Sequence, residues 1–379
     1  MRCPSCGAEN DARDRFCTHC GSPLNPAAAL PRPAPPPPPA THRNHGALRA
    51  AELRLERLAG TQDLEGFSFR EMFGEVFKHR TTDEMDDYLV AGTKRTTPDL
   101  GEVKAAWPRP WLFIRVLAFV ALLYAGLAFA AFNFGNVFAI PGMLTIGALA
   151  VPLATLFLFF EFNAPRNVPF HTTLMLMAFG GVFSIVVALF GYQVSNLNWL
   201  GASSAGIVEE SGKLLVVALL MHQARYKYIL NGLLFGAAVG AGFAWFESAG
   251  YAFAYLLKTQ SLLAAANETQ VRALLSPFAH VAWTAIAAGA LWRAKGDAPM
   301  TLKPFMDATF WRAFLIPVAL HMLWDSPIPP LLDVKYVAIG VVAWFVVLGL
   351  VQQGLWQVRD GQRTSAAAPA AVGVVGGES

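Results

Sequence analysis

The sequence predicts an all-α polytopic membrane protein of about eight transmembrane helices, preceded by a small four-cysteine module. The chain of 379 residues is 55% hydrophobic and only 15% charged, with a mean hydropathy of +0.42. That is too apolar for an ordinary soluble chain of this length. The apolar residues concentrate after Trp107 in runs of about 20, the length an α-helix needs to cross a bilayer. The formal net charge is +3, and the basic residues sit at the ends of apolar runs rather than in one patch, which argues against nucleic acid as a partner. Met1 leads directly into cysteines and charges, so no cleavable signal is expected and the N-terminus should stay on the side where it is made.

Cys3-Pro4-Ser5-Cys6 and Cys17-Thr18-His19-Cys20 are two CxxC knuckles, each followed directly by a glycine, Gly7 or Gly21. Four thiolates so spaced can hold Zn²⁺ tetrahedrally, and a filled ligand set implies a structural rather than a catalytic ion. Two disulfides or a redox pair are the weaker alternatives. Residues 1–25 resemble the small zinc ribbons at the ends of many bacterial membrane and regulatory proteins. Residues 26–46, with a proline run from Pro35 to Pro39, read as an extended linker that tethers the ribbon and leaves it free to meet a cytoplasmic protein partner.

Residues 47–110 read as a cytoplasmic juxtamembrane region of short amphipathic helices. Leu48, Ala51, Leu55 and Leu58 mark one helical face. Ser68-Phe69-Arg70-Glu71 fits a capping box, with Phe67 and Met72 as its hydrophobic staple and Met72, Phe73, Val76 and Phe77 as the following apolar face. Thr81-Thr82-Asp83-Glu84 repeats the capping pattern before Met85, Tyr88 and Leu89. Such helices pack on a membrane body rather than carry chemistry.

Residues 111–358 form the membrane body. Its expected spans are Trp111 to Phe134, Val137 to Phe160, His171 to Val194, Trp199 to Met221, Tyr228 to Leu257, Leu274 to Trp292, Phe310 to Asp325 and Tyr336 to Trp356. Residues 359–379 are expected to be a disordered tail. Arg109 and Arg115, Arg166, Arg225 and Lys227, Arg293 with Lys295 and Lys303, and Arg359 with Arg363 fall on one side of this arrangement. The other side has only Lys258 with Arg272, and Lys335. Cytoplasmic connections retain Lys and Arg, so both termini should be cytoplasmic in a cell membrane, a bacterial inner membrane by this reading. A reducing compartment also suits the thiolates of the ribbon.

Ionisable residues inside the spans require a reason, because each costs at least a few kcal/mol there. They are Glu209, Glu210 and Lys213 in the fourth span, Glu247 in the fifth, His280 in the sixth, and His321 with Asp325 in the seventh. At about 1.5 Å per residue Glu209, Glu247, His280 and His321 all fall roughly 6 to 15 Å from the outer side, consistent with one polar site. Glu209 and Glu210 are adjacent, so they point about 100° apart and should have separate tasks. Lys213 is within reach of either and should neutralise one, leaving the other for chemistry. Gly232, Gly236, Gly240 and Ala244 recur every fourth residue as a small-residue stripe that turns Glu247 into the bundle. Asp325 lies one turn after His321, where it can orient the imidazole or join it as a metal ligand. Glu161, His171 and His222 lie near expected cytoplasmic ends and read as interfacial.

The series Glu209-Glu210-x-x-Lys213, Gly242-Phe243-Ala244 with Glu247, His280, and His321-x-x-x-Asp325 resembles the PrsW family of intramembrane proteases, within the wider group of CAAX-processing membrane proteases. The resemblance covers roughly Glu161 to Trp356. It implies cleavage of membrane-anchored protein substrates, typically anti-sigma factors, in regulated proteolysis. Glu209 or Glu210 would activate water, and His280 or His321 would stabilise the oxyanion or protonate the leaving amine. A catalytic zinc on His280, His321 and one carboxylate is compatible with the same residues. The competing readings are a proton-coupled transporter, which lacks the expected internal duplication here, and a non-catalytic membrane scaffold or sensor.

Overall fold

The computed structural model describes residues 2–3, 6–11, 19, 64, 66–93, 95–328 and 334–367. The chain divides into two units, Met1–Leu48 and Arg49–Ser379. In the first, the Cys3 amide donates to Ala8 O at 2.9 Å and the Gly7 amide to Cys3 O at 2.9 Å. Gly7 has φ +77°, the left-handed conformation that lets the chain curl around the first knuckle. Cys17, Cys20, the proline linker and the helix expected near Leu48 to Leu58 lie outside the described residues.

The regular elements of the second unit are all helices among its described residues. Two short helices, α1 (Phe69–Met72) and α2 (Thr82–Leu89), precede the apolar body. Thr81 and Glu84 form the full capping box of α2, whereas Ser68 only accepts from the Glu71 amide. The helix expected to run through Phe77 stops at Met72, and the chain continues in turns. Of its expected apolar face, Met72 and Val76 are buried and Phe73 and Phe77 are exposed.

The body comprises α3 (Leu112–Asn133), α4 (Ala139–Phe162), α5 (Phe170–Met175), α6 (Gly181–Val194), α7 (Ser204–Leu220), α8 (Ile229–Thr259), α9 (Leu262–Leu275), α10 (His280–Lys295), α11 (Ala308–Trp324) and α12 (Val334–Ala367). A π-turn over Leu176–Gly180 joins α5 to α6 as one span. Among the described residues, six helices are long and apolar enough to cross a membrane, counting Phe170–Val194 and Leu262–Lys295 as one each. The expected fourth and seventh spans fold as α7 and α11, of 17 residues each. At about 25 Å, these two are shorter than the hydrocarbon core.

The sixth span differs most from expectation. The expected start at Leu274 falls inside α9, and the supposed outer loop from Lys258 to Arg272 is mostly helix. Gln260, at φ 52°, reverses the chain after α8, and α9 runs back with Ala265, Ala266, Thr269 and Ala273 buried. Ser276-Pro277-Phe278 then breaks the helix, and Ala279, with φ −120° and ψ −124°, resets it into α10. Pro277 explains the break, since proline has no N–H to continue the ladder. His280 therefore opens a helix inside the bundle, with the whole of α9 before it, rather than lying about six residues below a surface.

Close backbone approaches set the relative positions of the site helices. A Cβ on Gly232 would meet Trp292, one on Gly236 would meet Thr284 O and Ala285, and one on Gly240 would meet His280 O, so the stripe on α8 seats α10. A Cβ on Gly206 would meet Val318 O and Met322, which brings α11 across α7 one turn before the glutamate pair. Small residues allow this where no hydrophobic gain drives helices together in lipid.

Glu161 is buried rather than interfacial, while His171 and His222 are exposed. Its Oε1 accepts from the amides of Trp111 at 2.6 Å and Leu112 at 2.9 Å, and its Oε2 from Phe113 at 3.0 Å. A carboxylate thus satisfies the otherwise unpaired donors at the start of α3. Glu161→Ala should lower stability by about 2–4 kcal/mol, measured by unfolding in mixed micelles, because three buried donors lose a charged acceptor.

Candidate active site

The structure gathers all six residues singled out on the spans, and Lys213 with them, around one point in the bundle. On α7 the two glutamates have different surroundings. Glu210 is fully buried. Its Oε1 takes Lys213 Nζ at 2.6 Å and His321 Nδ1 at 2.8 Å, while Thr284 Oγ1 donates to Oε2 at 3.4 Å. Glu209 has one hydrogen bond, to Oε1 from the Tyr192 hydroxyl at 2.9 Å. Its Oε2 is buried without a hydrogen-bond partner. That oxygen lies 3.8 Å from His321 Nε2 and 3.9 Å from Lys213 Nζ.

The histidines come from α10 and α11, with ring centroids 5.1 Å apart. Lys213 Nζ is 3.0 Å from His280 Nδ1, and Glu247 Oε2 is 3.0 Å from His280 Nε2. An ammonium can only donate, so Nδ1 is the acceptor and Nε2–H donates to Glu247. His280 is thereby held in one tautomer by two helices other than its own. Glu247 Oε2 also accepts from Arg272 on α9. With Nδ1 of His321 on Glu210, its Nε2 turns toward Asp325 Oδ2 at 3.2 Å and toward Glu209. Trp283 stacks on the His321 ring with centroids 4.5 Å apart, and Phe243 lies under Lys213 Nζ at 4.4 Å. Exposure rises from Glu210 toward Glu247, Arg272 and Asp325, whose side chains are 19%, 26% and 28% exposed, so the cluster opens on that side.

Four participants are not among the site residues that the sequence singles out. The sequence places Arg272 in a loop, and Pro277 inside the expected sixth span is the signal that this segment is broken. Thr284 follows His280 by one turn and so shares its face. Tyr192 and Trp283 are aromatic residues in apolar runs, and nothing in their local pattern separates them from ordinary packing.

The sequence model of the PrsW family intramembrane metalloproteases matches residues 168–351. The membrane region is similar to the PrsW family. All six candidate residues, Lys213, Tyr192 and Arg272 lie inside the matched PrsW segment, whereas α3 and α4 precede it. A zinc-ribbon domain matches residues 2–24. Searches of curated proteins and of solved structures returned no match. Both family matches imply zinc binding, and the donor set in the PrsW region fits a metal. Glu209, His280 and His321 can each offer one ligand atom, all within 4.8 Å of one another. Two imidazoles and a carboxylate suit zinc, and the buried Glu209 Oε2 has no hydrogen-bond donor of its own.

The Tyr192 hydroxyl is the one hydrogen-bond donor to Glu209 among the described residues. Tyr192→Phe should leave the fold intact and reduce unfolding free energy by about 1.5–3 kcal/mol, the range for a hydrogen bond to a charged group. Reversible unfolding of the purified chain measures it.

Proposed function

We propose that the PrsW region is an endopeptidase that hydrolyses a peptide bond of a membrane-anchored protein, with Glu209 as the base. The observation that supports this is the unequal treatment of the glutamate pair. Glu210 is enclosed by Lys213, His321 and Thr284, whereas Glu209 keeps a buried oxygen without a hydrogen bond beside two oriented imidazoles.

In the reaction, Glu209 Oε2 accepts a proton from water as the water oxygen bonds to the scissile carbonyl carbon. His321, with Nδ1–H held by Glu210, turns its Nε2–H from Asp325 to the developing oxyanion, while His280 stays held by Glu247 and Lys213 beside it. The C–N bond then breaks and the proton passes to the leaving amine. Tyr192 keeps Glu209 aimed by holding its other oxygen. A zinc ion would be held by Glu209, His280 and His321, taking the place of the Lys213 contact at His280 Nδ1, and when bound it would acidify water and polarise the carbonyl.

The same reading makes the N-terminal zinc structural, on Cys3, Cys6, Cys17 and Cys20. Residues 1–25 are then a tethered ribbon that binds a cytoplasmic protein partner, and residues 26–46 its linker. Residues 47–110 are the juxtamembrane region, 111–358 the protease body, and 359–379 the tail. Both termini face the cytoplasm of a bacterial inner membrane, supported by the excess of Lys and Arg on that side. Arg272 no longer counts toward the outer side, since it lies against Glu247 within the bundle. Anti-sigma-factor-like substrates would make the activity regulated proteolysis.

The test is cleavage of a single-span protein by the purified chain in proteoliposomes. Glu209→Gln should lower the rate at least about a hundredfold, the scale of lost general-base catalysis, with insertion and melting temperature near those of the unsubstituted chain. Proton-coupled solute uptake without cleavage would favour a transporter instead.

A further inference from the structure

Arg272 is a cation at the open side of the cluster, and it reaches the site from α9. Its guanidinium meets three residues of α8: Glu247 Oε2, Ser248 Oγ at 3.4 Å, and the Tyr251 ring at 4.1 Å from the centroid. The oxygen it takes on Glu247 is the one that also takes His280 Nε2. Two donors therefore converge on one carboxylate oxygen, one from each side of the break at Ser276–Ala279.

This geometry limits what Glu247 can do. Oε2 is 3.0 Å from His280 Nε2, and Arg272 fixes that oxygen from α9, so the carboxylate cannot rotate without breaking an ion pair. Lys213 holds the opposite nitrogen of the same ring. His280 is the first residue of α10, where a helix end offers its side chain less support from neighbouring turns. Its ring is set by these two charged contacts and by the rings of Phe243, Trp283 and His321.

We propose that Arg272 is a positioning residue for the proposed peptidase: through Glu247 it fixes the tautomer and orientation of His280, so that the helix broken at Pro277 supplies both the ring and the means of aiming it. The proposal rests on the endopeptidase reading for its kinetic consequence, but not for its structural one. Partners that orient a functional imidazole are commonly worth about 10–100-fold in activity.

The test uses the full chain in proteoliposomes. Arg272→Gln should lower kcat about tenfold or more with KM within about twofold, and Arg272→Lys should recover part of the loss. Added to Glu247→Gln, it should cost nothing further, since both act through one contact. Ser248→Ala and Tyr251→Leu remove the other Arg272 contacts and should leave kcat near that of the unsubstituted chain. Histidine-selective ¹⁵N NMR, with His280 assigned by loss of its signals in His280→Gln, reads the ring directly. It should show the Nε2–H tautomer alone in the unsubstituted chain and a mixture in Arg272→Gln. Unchanged His280 signals overturn the proposal, as do kcat losses in Ser248→Ala or Tyr251→Leu equal to that of Arg272→Gln, which would mark Arg272 as a hairpin staple. If the unsubstituted chain cleaves nothing, the endopeptidase reading fails while the ring signals still decide the role of Arg272.

Discussion

An ammonium ion buried in an apolar bundle costs several kcal/mol unless it is well paired, and Lys213 is fully buried. Its contacts reach Glu210 and Glu209 on α7, His280 on α10 and the face of Phe243 on α8. The rest of the cluster depends on this cation. Glu210, neutralised by it, can stay buried and hold Nδ1 of His321 on α11. His280, with one nitrogen occupied by it, must present the other to Glu247. The buried ion pair therefore acts as a fixed reference for both rings, and Glu209 is the carboxylate it leaves less engaged, at 3.9 Å.

That arrangement requires helices close enough for short side chains to meet. The glycines on α8 place the backbone of α10 against it, and Gly206 does the same for α7 and α11. Larger residues at these points would separate the helices by more than the hydrogen bonds can span. The helices carrying the glutamate pair and His321 are the two 17-residue ones. Polar groups interrupt their apolar character, and the bundle rather than lipid surrounds Glu210, Lys213 and His321.

Much of this is legible in the sequence. A charge in an apolar run has few explanations, so Glu209, Glu210, Lys213, Glu247, His280, His321 and Asp325 stand out individually, and the acid-before-base spacing identifies Lys213 as a partner of the glutamates. The choice of Glu210 over Glu209 depends on His321 and Thr284 arriving from other helices, which spacing along α7 does not encode. Arg272 was obscured because α9 mixes polar residues with small apolar ones. Hydropathy reads such a segment as a loop, although its alanines and Thr269 form a packed face. Tyr192 is identified only by what it touches. The helix expected through Phe77 stops early for a similar reason: its apolar pattern is real, but only Met72 and Val76 find something to bury against.

The central claim is that Lys213 and Glu210 form one buried pair on which the site geometry rests. Its most direct test is a double-mutant cycle on unfolding free energy, with Glu210→Gln, Lys213→Met and the two combined, in a bilayer-mimetic solvent. Each single substitution should cost about 3–5 kcal/mol by leaving a buried charge uncompensated, and the combined variant should cost clearly less than their sum. Losses that add to within about 0.5 kcal/mol would mean that the two charges do not depend on one another, and the account built on them would fail.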